Sequence, residues 1–266
     1  MAATLGMTMP PPEVDALLRA LLSGAQAILG SRLVGFYLDG SLAIGDFDPR
    51  SSDIDFVVVI TEEMPDDVFR ALRALHERLA REPSRWGREL EGSYITRAAL
   101  GGRDPWPAAH PYIDRGSGLE MIRPEPGYWV IHRHVLREHG VALVGPAPCT
   151  LIAPVAPADL REAVEGILRE WWRPMLEGSA RLRSGFYRCY AVLTMVRMLY
   201  TLEHGTIVTK PTAARWALDT LDPRWRPLVQ NALAWSRDTP PDIDETIALI
   251  RETVRRAGVS SSGTSG

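Results

Sequence analysis

The run Ile54–Ile60 (IDFVVVI) constrains the fold of this chain more than any other stretch of its sequence. Six of its seven residues are apolar, which is typical of a strand that is covered on both faces. Leu33–Leu38 and Leu90–Thr96 are predicted to form two further strands. Apolar residues at helical spacing predict amphipathic helices over Glu13–Leu29 and Pro65–Ala80. We therefore expect a small mixed sheet with helices packed on it in the first half of the chain.

The second half of the chain has a different pattern. The segment Val141–Pro157 is rich in proline and is predicted to be a domain boundary, and Gly101–Pro126 is predicted to be a long loop near a functional site. Beyond the boundary the apolar spacing is helical throughout. The predicted helices are Ala158–Glu177, Gly185–His204, Pro211–Leu221, Trp225–Ser236 and Ile243–Ala257. We expect an α+β domain over residues 1–150, an all-α helical bundle over 151–258 and a flexible tail over 259–266.

The composition excludes several classes of partner. A net charge of −3 argues against electrostatic binding of nucleic acid or of an anionic membrane. We found no secretory pattern and no apolar run of membrane-spanning length, so we expect a cytoplasmic protein, which we also expect to be a monomer. Among 30 basic residues Lys210 is the only lysine. It is either a chance exception to a bias towards arginine or a site that needs a compact ammonium group.

Two aspartates stand beside the apolar strand. Asp53 and Asp55 are two residues apart, so their side chains point to the same face. Like charges that lie this close resist ionising together, and a cation between them would relieve the repulsion. Carboxylate oxygens are the ligands that Mg²⁺ prefers, with water and substrate phosphates in the remaining positions.

A third carboxylate on the neighbouring strand would complete a two-metal site for displacement at phosphorus. Glu91 is the candidate because it lies at the start of the third predicted strand, and Glu89 is its rival. Gly40 permits a tight turn close to a ligand. Ser41 is predicted to cap a short helix whose free N–H groups suit a phosphate.

Other interpretations of these residues are weaker. The chain has neither the glycine pattern of dinucleotide-binding folds nor a P-loop. A calcium loop over Asp46, Asp48 and Asp53 would have Arg50 and Ser51 where a ligand and a glycine belong. The remaining alternative is a surface turn of solvated acids, which suits Asp55 poorly because an apolar run follows it.

Two sets of motifs resemble known families. Gly40–Ser41 followed by Ser52–Asp53–Ile54–Asp55 resembles the signature of polymerase-β-type nucleotidyltransferases. The segments HGVALVGP (139–146), VLTMVRMLY (192–200) and GTIVTKPTAARWALDTL (205–221) are similar, in order and spacing, to the aminoglycoside adenylyltransferases that act on streptomycin and spectinomycin. The resemblance extends from about residue 33 to residue 234. It implies a nucleotidyltransferase domain followed by a helical domain.

The resemblance also implies roles for individual residues. Metal ligands are implied at Asp53 and Asp55, and the third carboxylate, which is the catalytic base, at Glu91. Contacts with the nucleotide are implied at the glycine–serine turn and at three further side chains. These nucleotide-binding residues are Gly40, Ser41, Ser52, Arg197 and Lys210. For Arg197 an ion pair with a neighbour such as Glu203 is an alternative.

The resemblance implies transfer of AMP from ATP to a hydroxyl group of a small molecule, with release of pyrophosphate. It also implies Mg²⁺ as the cofactor, bound as two ions. The leading acceptor is an aminoglycoside or aminocyclitol. Two alternatives remain open, which are modification of a protein partner and nucleotide binding without turnover. Neither nucleic acid nor a membrane is expected as a partner.

The chain departs from the family pattern at three places, one of which is that the family's aromatic-containing drug loop is not recognisable over residues 109–127. Asp39 stands where the family commonly has tyrosine, and this adds negative charge near the phosphate turn. The segment SARLRSGFYRCY (179–190) carries arginines where the family has acidic and polar residues that hold the cationic antibiotic. His132, His134 and His139 are not spaced to share one helix face, so they are expected to be structural. Trp171 and Trp172 are expected to fill the core of the bundle.

Overall fold

The computed structural model describes residues 10–50, 52–102, 109–123, 127–178, 180–234 and 239–258. The strands are β1 (Leu33–Leu38), β2 (Ile54–Ile60), β3 (Leu90–Thr96), β4 (His110–Ile113), β5 (Glu120–Ile122) and β6 (Val141–Val144). The helices are α1 (Pro12–Leu29), α2 (Gly40–Ile44), α3 (Asp66–Ala80), α4 (Arg97–Gly101), α5 (Tyr128–His139), α6 (Pro157–Ile167), α7 (Gly185–His204), α8 (Lys210–Thr220), α9 (Arg226–Leu233) and α10 (Ile243–Arg256). No helix within these ranges is both long and apolar enough to span a bilayer.

The described residues divide into two compact units. One contains the residues up to 123 together with 132–154, and the other contains 127–131 and 155–258. The boundary predicted near residue 150 divides the chain once. In the structure, residues 127–131 belong to the same unit as the residues from 155 onwards. The tail predicted over 259–266 lies outside the described residues.

The first unit contains a six-stranded mixed sheet in the order β5-β4-β3-β2-β1-β6. Only the central pair, β2 and β3, is parallel, and the other neighbours are antiparallel. Alternate residues of β2, among them Phe56 and Val58, join a core with the apolar faces of α1 and α3. Val57 and Val59 on the opposite face are also buried. The sequence of β2 is therefore almost wholly apolar because both faces of this strand are covered.

Three strands were not predicted from the sequence. β4 and β5 lie in the segment predicted as a loop, and β6 lies in the proline-rich segment predicted as a boundary. Each has three or four residues, which is too short for an alternating pattern to be recognised, and β4 contains Pro111, which cannot donate a backbone hydrogen bond. The pairing of β6 with β1 and of β4 with β3 forms these strands.

The second unit is built around α7, which packs against α6, α8, α9 and α10. Ser184 caps α7 by accepting a hydrogen bond from the N–H of Tyr187, and Gly205 ends the helix in the left-handed conformation with φ +67°. The helix predicted over Ala158–Glu177 is interrupted, because α6 ends at Ile167 and a π-helical turn follows over Leu168–Trp172.

The aromatic pair within that turn divides between core and surface. Trp172 is buried in the core of the second unit, whereas Trp171 is 36% exposed. The prediction that both tryptophans fill the core is therefore right for Trp172 and wrong for Trp171.

Candidate active site

The first unit brings three carboxylates together on one face of its sheet. Asp55 and Glu91 occupy paired positions on the parallel strands β2 and β3, so their side chains point the same way. Asp53 precedes β2 and has the same alternation as Asp55. One carboxylate oxygen from each of the three residues lies within 4.8 Å of the others. All three residues are partly buried, and the cluster is therefore not a surface turn of solvated acids.

A tight turn over this cluster requires a glycine. β1 leads into α2 through Gly40, which has φ +56°, and a Cβ at this position would overlap the Oδ2 atom of Asp55. The N–H of Asp39 donates to the carbonyl of Asp55 at 3.1 Å. The backbone at Gly40 is thus held directly against a carboxylate of the cluster.

The two predicted serines have different environments. Ser41 was expected to cap α2, but the helix begins at Gly40, and Ser41 lies in its first turn. Its Oγ atom is buried and has no hydrogen-bond partner among the described residues. The Oγ atom of Ser52 accepts a hydrogen bond from the N–H of Asp48 at 3.0 Å. Ser52 therefore helps to close the loop between α2 and β2.

Glu91 has a perturbed carboxyl group. Burial raises the pKa of Glu91, and the neighbouring charge of Asp53 raises it further. The hydroxyl of Tyr112 donates to Oε1 of Glu91 at 2.7 Å and opposes this rise in pKa. Tyr112 lies on β4, one of the strands that were not predicted from the sequence.

The geometry distinguishes Glu91 from its rival Glu89. Glu89 accepts two hydrogen bonds from Arg115, at 2.7 Å from Nη2 and 3.1 Å from Nε, and also lies 3.6 Å from Arg85. It is not a member of the carboxylate cluster that the described residues form. The Nη1 atom of Arg115 lies 3.7 Å from Oδ2 of Asp53, so this arginine supplies positive charge at the edge of the cluster.

A further pair of residues lies beside the turn. His132 donates from Nδ1 to Oδ2 of Asp39 at 2.7 Å, and Asp39 is buried, with 1% of its surface exposed. The pair lies next to the turn, because Asp39 directly precedes Gly40 and its N–H donates to the carbonyl of Asp55. The contact was not predicted from the sequence, where His132 was expected to be structural, because the two residues are 93 positions apart and no local pattern connects them.

The predicted phosphate-binding residues of the second unit lie on two packed helices. Arg197 is in the interior of α7, and Lys210 is the first residue of α8, with Pro211 next to it. Thr209 caps α8 by accepting from the N–H of Thr212. The Nζ atom of Lys210 lies 5.5 Å from the ring centroid of Tyr190. Glu203, the alternative partner considered for Arg197, lies 3.7 Å from Nε2 of His204.

The donor set of the cluster suits Mg²⁺. Three carboxylates provide hard oxygen ligands. Burial raises the pKa of Glu91 and the charge of Asp53 raises it further, and a bound cation would offset that repulsion. The calcium-loop alternative fits less well, because the carboxylate of Asp48 accepts hydrogen bonds from Arg50.

Comparisons with known proteins show which family the chain resembles. Residues 150–258 match the family described as "Aminoglycoside adenylyltransferase, C-terminal domain". The chain is 31% identical over 231 residues to an aminoglycoside (3'') (9) adenylyltransferase of Escherichia coli, covering 83% of this chain and 84% of the relative. It is 30% identical over 208 residues to a spectinomycin 9-adenylyltransferase of Staphylococcus aureus, covering 73% of this chain and 74% of the relative.

A solved structure shares the fold. The spectinomycin adenyltransferase AAD(9) from Enterococcus faecialis, crystallised with ATP and spectinomycin, matches with a TM-score of 0.72 at 16% identity. The match covers 91% of this chain and 99% of that protein. Fold and relatives together define a nucleotidyltransferase enzyme. The chain belongs to the aminoglycoside adenylyltransferase family.

Proposed function

We propose that this enzyme transfers AMP from ATP to a hydroxyl group of an aminocyclitol or aminoglycoside, such as spectinomycin or streptomycin, and releases pyrophosphate. The observation that carries the proposal is the cluster of Asp53, Asp55 and Glu91 on one face of the sheet, in a chain of this family. The names of the relatives, and the ATP and spectinomycin crystallised with the structural neighbour, support the choice of substrates.

The proposal includes two Mg²⁺ ions, held by the carboxylates of Asp53, Asp55 and Glu91. When bound, the metal offsets the charge of the triphosphate and activates the attacking oxygen. Glu91 also accepts the proton of the acceptor hydroxyl. Its raised pKa makes it a stronger base than an exposed carboxylate. The hydrogen bond from Tyr112 to Oε1 orients the Glu91 carboxylate.

The turn at Gly40 is proposed to receive the phosphates of ATP. The backbone can approach a ligand closely here because Gly40 has no side chain, and the buried hydroxyl of Ser41, which has no partner among the described residues, is available to donate to a phosphate oxygen. Ser52 is proposed to contact the nucleotide from the loop between α2 and β2. The hydrogen bond from the N–H of Asp48 to Oγ of Ser52 helps to close this loop.

Lys210 and Arg197 are proposed to stabilise the negative charge that develops on pyrophosphate as it leaves. Lys210 is suited to this role because it combines an ammonium group with the positive end of the α8 dipole. The retention of a single lysine in a chain with 29 arginines also supports a specific need for this group.

Pyrophosphate release from Mg²⁺-ATP tests the proposal, with spectinomycin, streptomycin or neither added. Release that depends on one of the two compounds, together with a mass increase of one AMP on that compound, is the expected result. Release without an added acceptor, with AMP attached to a protein, would instead favour modification of a protein partner. ATP binding without release in any mixture would contradict turnover on these acceptors.

A further inference from the structure

Asp39 is a buried residue, and only one of its two carboxylate oxygens has a hydrogen-bond partner among the described residues. Its Oδ2 atom accepts a hydrogen bond from Nδ1 of His132 at 2.7 Å. Its Oδ1 atom is also buried but has no hydrogen-bond partner in the part of the chain that the structure describes. A buried charged oxygen without a partner is strongly unfavourable. The structure therefore indicates that something outside these residues donates to Oδ1.

The position of Asp39 connects it with the carboxylate cluster. Its backbone N–H donates to the carbonyl of Asp55, and the next residue, Gly40, lies against the Oδ2 atom of Asp55. The unsatisfied oxygen thus belongs to the same region of the first unit as the groups proposed to act on the acceptor hydroxyl.

Charge narrows the choice of ligand. A carboxylate oxygen can only accept hydrogen bonds, and it repels the phosphates of ATP. Aminocyclitols carry hydroxyl groups, which donate, and amino groups, which are protonated and positively charged at neutral pH. Between an anionic nucleotide and a cationic acceptor, a buried carboxylate favours the acceptor.

We propose that Asp39 is a specificity-determining residue whose Oδ1 atom accepts a hydrogen bond from an ammonium or hydroxyl group of the acceptor. The inference rests on the proposed function and deepens it, because it assigns one acceptor contact to the nucleotidyltransferase unit itself. His132 is a positioning residue that holds Asp39 through Oδ2 and directs Oδ1 towards the ligand.

The substitution Asp39→Asn gives a sharp test because His132 controls the orientation of residue 39. Nδ1 of His132 carries its hydrogen, since its partner can only accept, and it requires the amide oxygen of asparagine. The NH₂ group then replaces Oδ1, so an acceptor of hydrogen bonds becomes a donor. We expect the KM for the antibiotic to rise about 10- to 100-fold, with the KM for Mg²⁺-ATP nearly unchanged. Asp15→Asn is a matched control, because Asp15 pairs with Arg19 on the exposed side of α1.

Substitutions of His132 provide a second test that does not depend on the folding of the first variant. His132→Asn retains an N–H donor for Asp39 and is expected to keep the KM for the antibiotic close to the wild-type value. His132→Leu removes the donor and is expected to raise the KM. A purely structural role would instead lower the unfolding temperature of both variants without this contrast in KM.

The other outcomes overturn the inference in distinguishable ways. A selective rise in the KM for ATP, reproduced in the wild type by 2'-deoxy-ATP or 3'-deoxy-ATP, would assign Oδ1 to a ribose hydroxyl. Weaker Mg²⁺ binding by calorimetry without substrates, at unchanged acceptor KM, would assign it to a metal-bound water. Unchanged kinetics in Asp39→Asn would indicate that the donor to Oδ1 is a buried structural water and not the acceptor. Absence of turnover in the wild type would contradict the proposed function itself, and the acceptor contact with it.

Discussion

Asp55 on β2 and Glu91 on β3 are direct neighbours in the parallel register of the sheet, so their carboxylates leave the same face side by side. This relationship, together with Asp53, produces a half-buried cluster of three negative charges within 4.8 Å. The cluster is costly without a cation. Asp55 and Glu91 lie on the two central strands of the sheet and Asp53 directly precedes one of them, so the sheet determines the relative positions of the three carboxylates. A fixed arrangement is what positioning of a reacting hydroxyl requires.

Gly40→Ala should damage the site more than an alanine substitution at another glycine with positive φ. A Cβ at this position overlaps Oδ2 of Asp55, whereas at Gly30, which has a similar φ of +54°, a Cβ has no atom within 4 Å. Both variants also place a Cβ at a positive φ, which costs about 1–3 kcal/mol of backbone strain. We expect Gly40→Ala alone to lose most turnover and metal binding, as measured by calorimetry with Mg²⁺. Equal effects of the two substitutions on turnover would contradict the close packing of Gly40 on the cluster.

Tyr112→Phe should make the base harder to ionise. The hydrogen bond from Tyr112 lowers the pKa of Glu91, so its removal raises that pKa, and the acidic limb of the profile of kcat against pH should move to higher pH. Loss of the orienting bond should also lower kcat about 5- to 30-fold, while the KM for ATP stays nearly constant. Tyr200→Phe on α7 is the control, and an unmoved acidic limb in Tyr112→Phe would argue against this role of the hydroxyl.

Lys210→Ala should raise the KM for ATP and lower kcat together, by about tenfold or more each, since the ammonium is proposed to contact phosphates in both the ground state and the transition state. Lys210→Arg should recover only part of the loss, because a planar guanidinium does not replace a compact ammonium. Steady-state kinetics with Arg251→Ala on the exposed face of α10 as control would test this. Full activity of Lys210→Ala would remove the residue from the nucleotide site.

The stability of the first unit should depend on pH through His76. Burial lowers the pKa of His76 to about 4, while in the unfolded chain histidine has a pKa of about 6.5. Between these values the unfolded chain binds the extra proton, so the free energy of unfolding falls as pH decreases from about 6.5 to about 4, by up to about 3 kcal/mol.

Urea unfolding of the wild type and of His76→Gln at several pH values measures this contribution. The difference in unfolding free energy between the two proteins should shrink as pH falls from about 7.5 to about 5. The Nε2 atom of His76 lies 2.8 Å from the hydroxyl of Tyr94, and loss of this contact costs the variant the same amount at every pH. A difference that does not vary with pH would exclude His76 as the source of the dependence.

The sequence predicted those parts of the fold that local patterns determine. The observed bounds of β2, β3 and α7 coincide with the predicted ranges, because an apolar strand run and a capped helix of 20 residues carry strong local signals. β4, β5 and β6 were missed because they exist through pairing with distant strands. The grouping of Asp53, Asp55 and Glu91 was predicted from alternation of side chains and from a carboxylate on the adjacent strand, and the parallel register of β2 and β3 places Glu91 next to Asp55.

Contacts between distant residues limited the prediction of the site. Tyr112 meets Glu91 across 21 residues, and His132 meets Asp39 across 93. Glu89 and Glu91 have the same alternation in the sequence. The structure separates them, because Glu89 forms a salt bridge with Arg115 and is not a member of the carboxylate cluster found among the described residues. The roles assigned to the nucleotide-binding residues stay predictions, to be tested by the kinetics above.

The proposed mechanism depends above all on Glu91 as the base for AMP transfer, and comparison of Glu91→Gln with Glu89→Gln tests this role. Formation of adenylylated spectinomycin or streptomycin from Mg²⁺-ATP would be followed by mass spectrometry, with ATP binding checked by calorimetry. We predict that Glu91→Gln loses at least about 100-fold in kcat while it still binds ATP, and that Glu89→Gln stays within about threefold of the wild type because its carboxylate lies outside the cluster. Turnover by Glu91→Gln at the wild-type rate, or an equal loss in both variants, would contradict the assignment of Glu91 as the base.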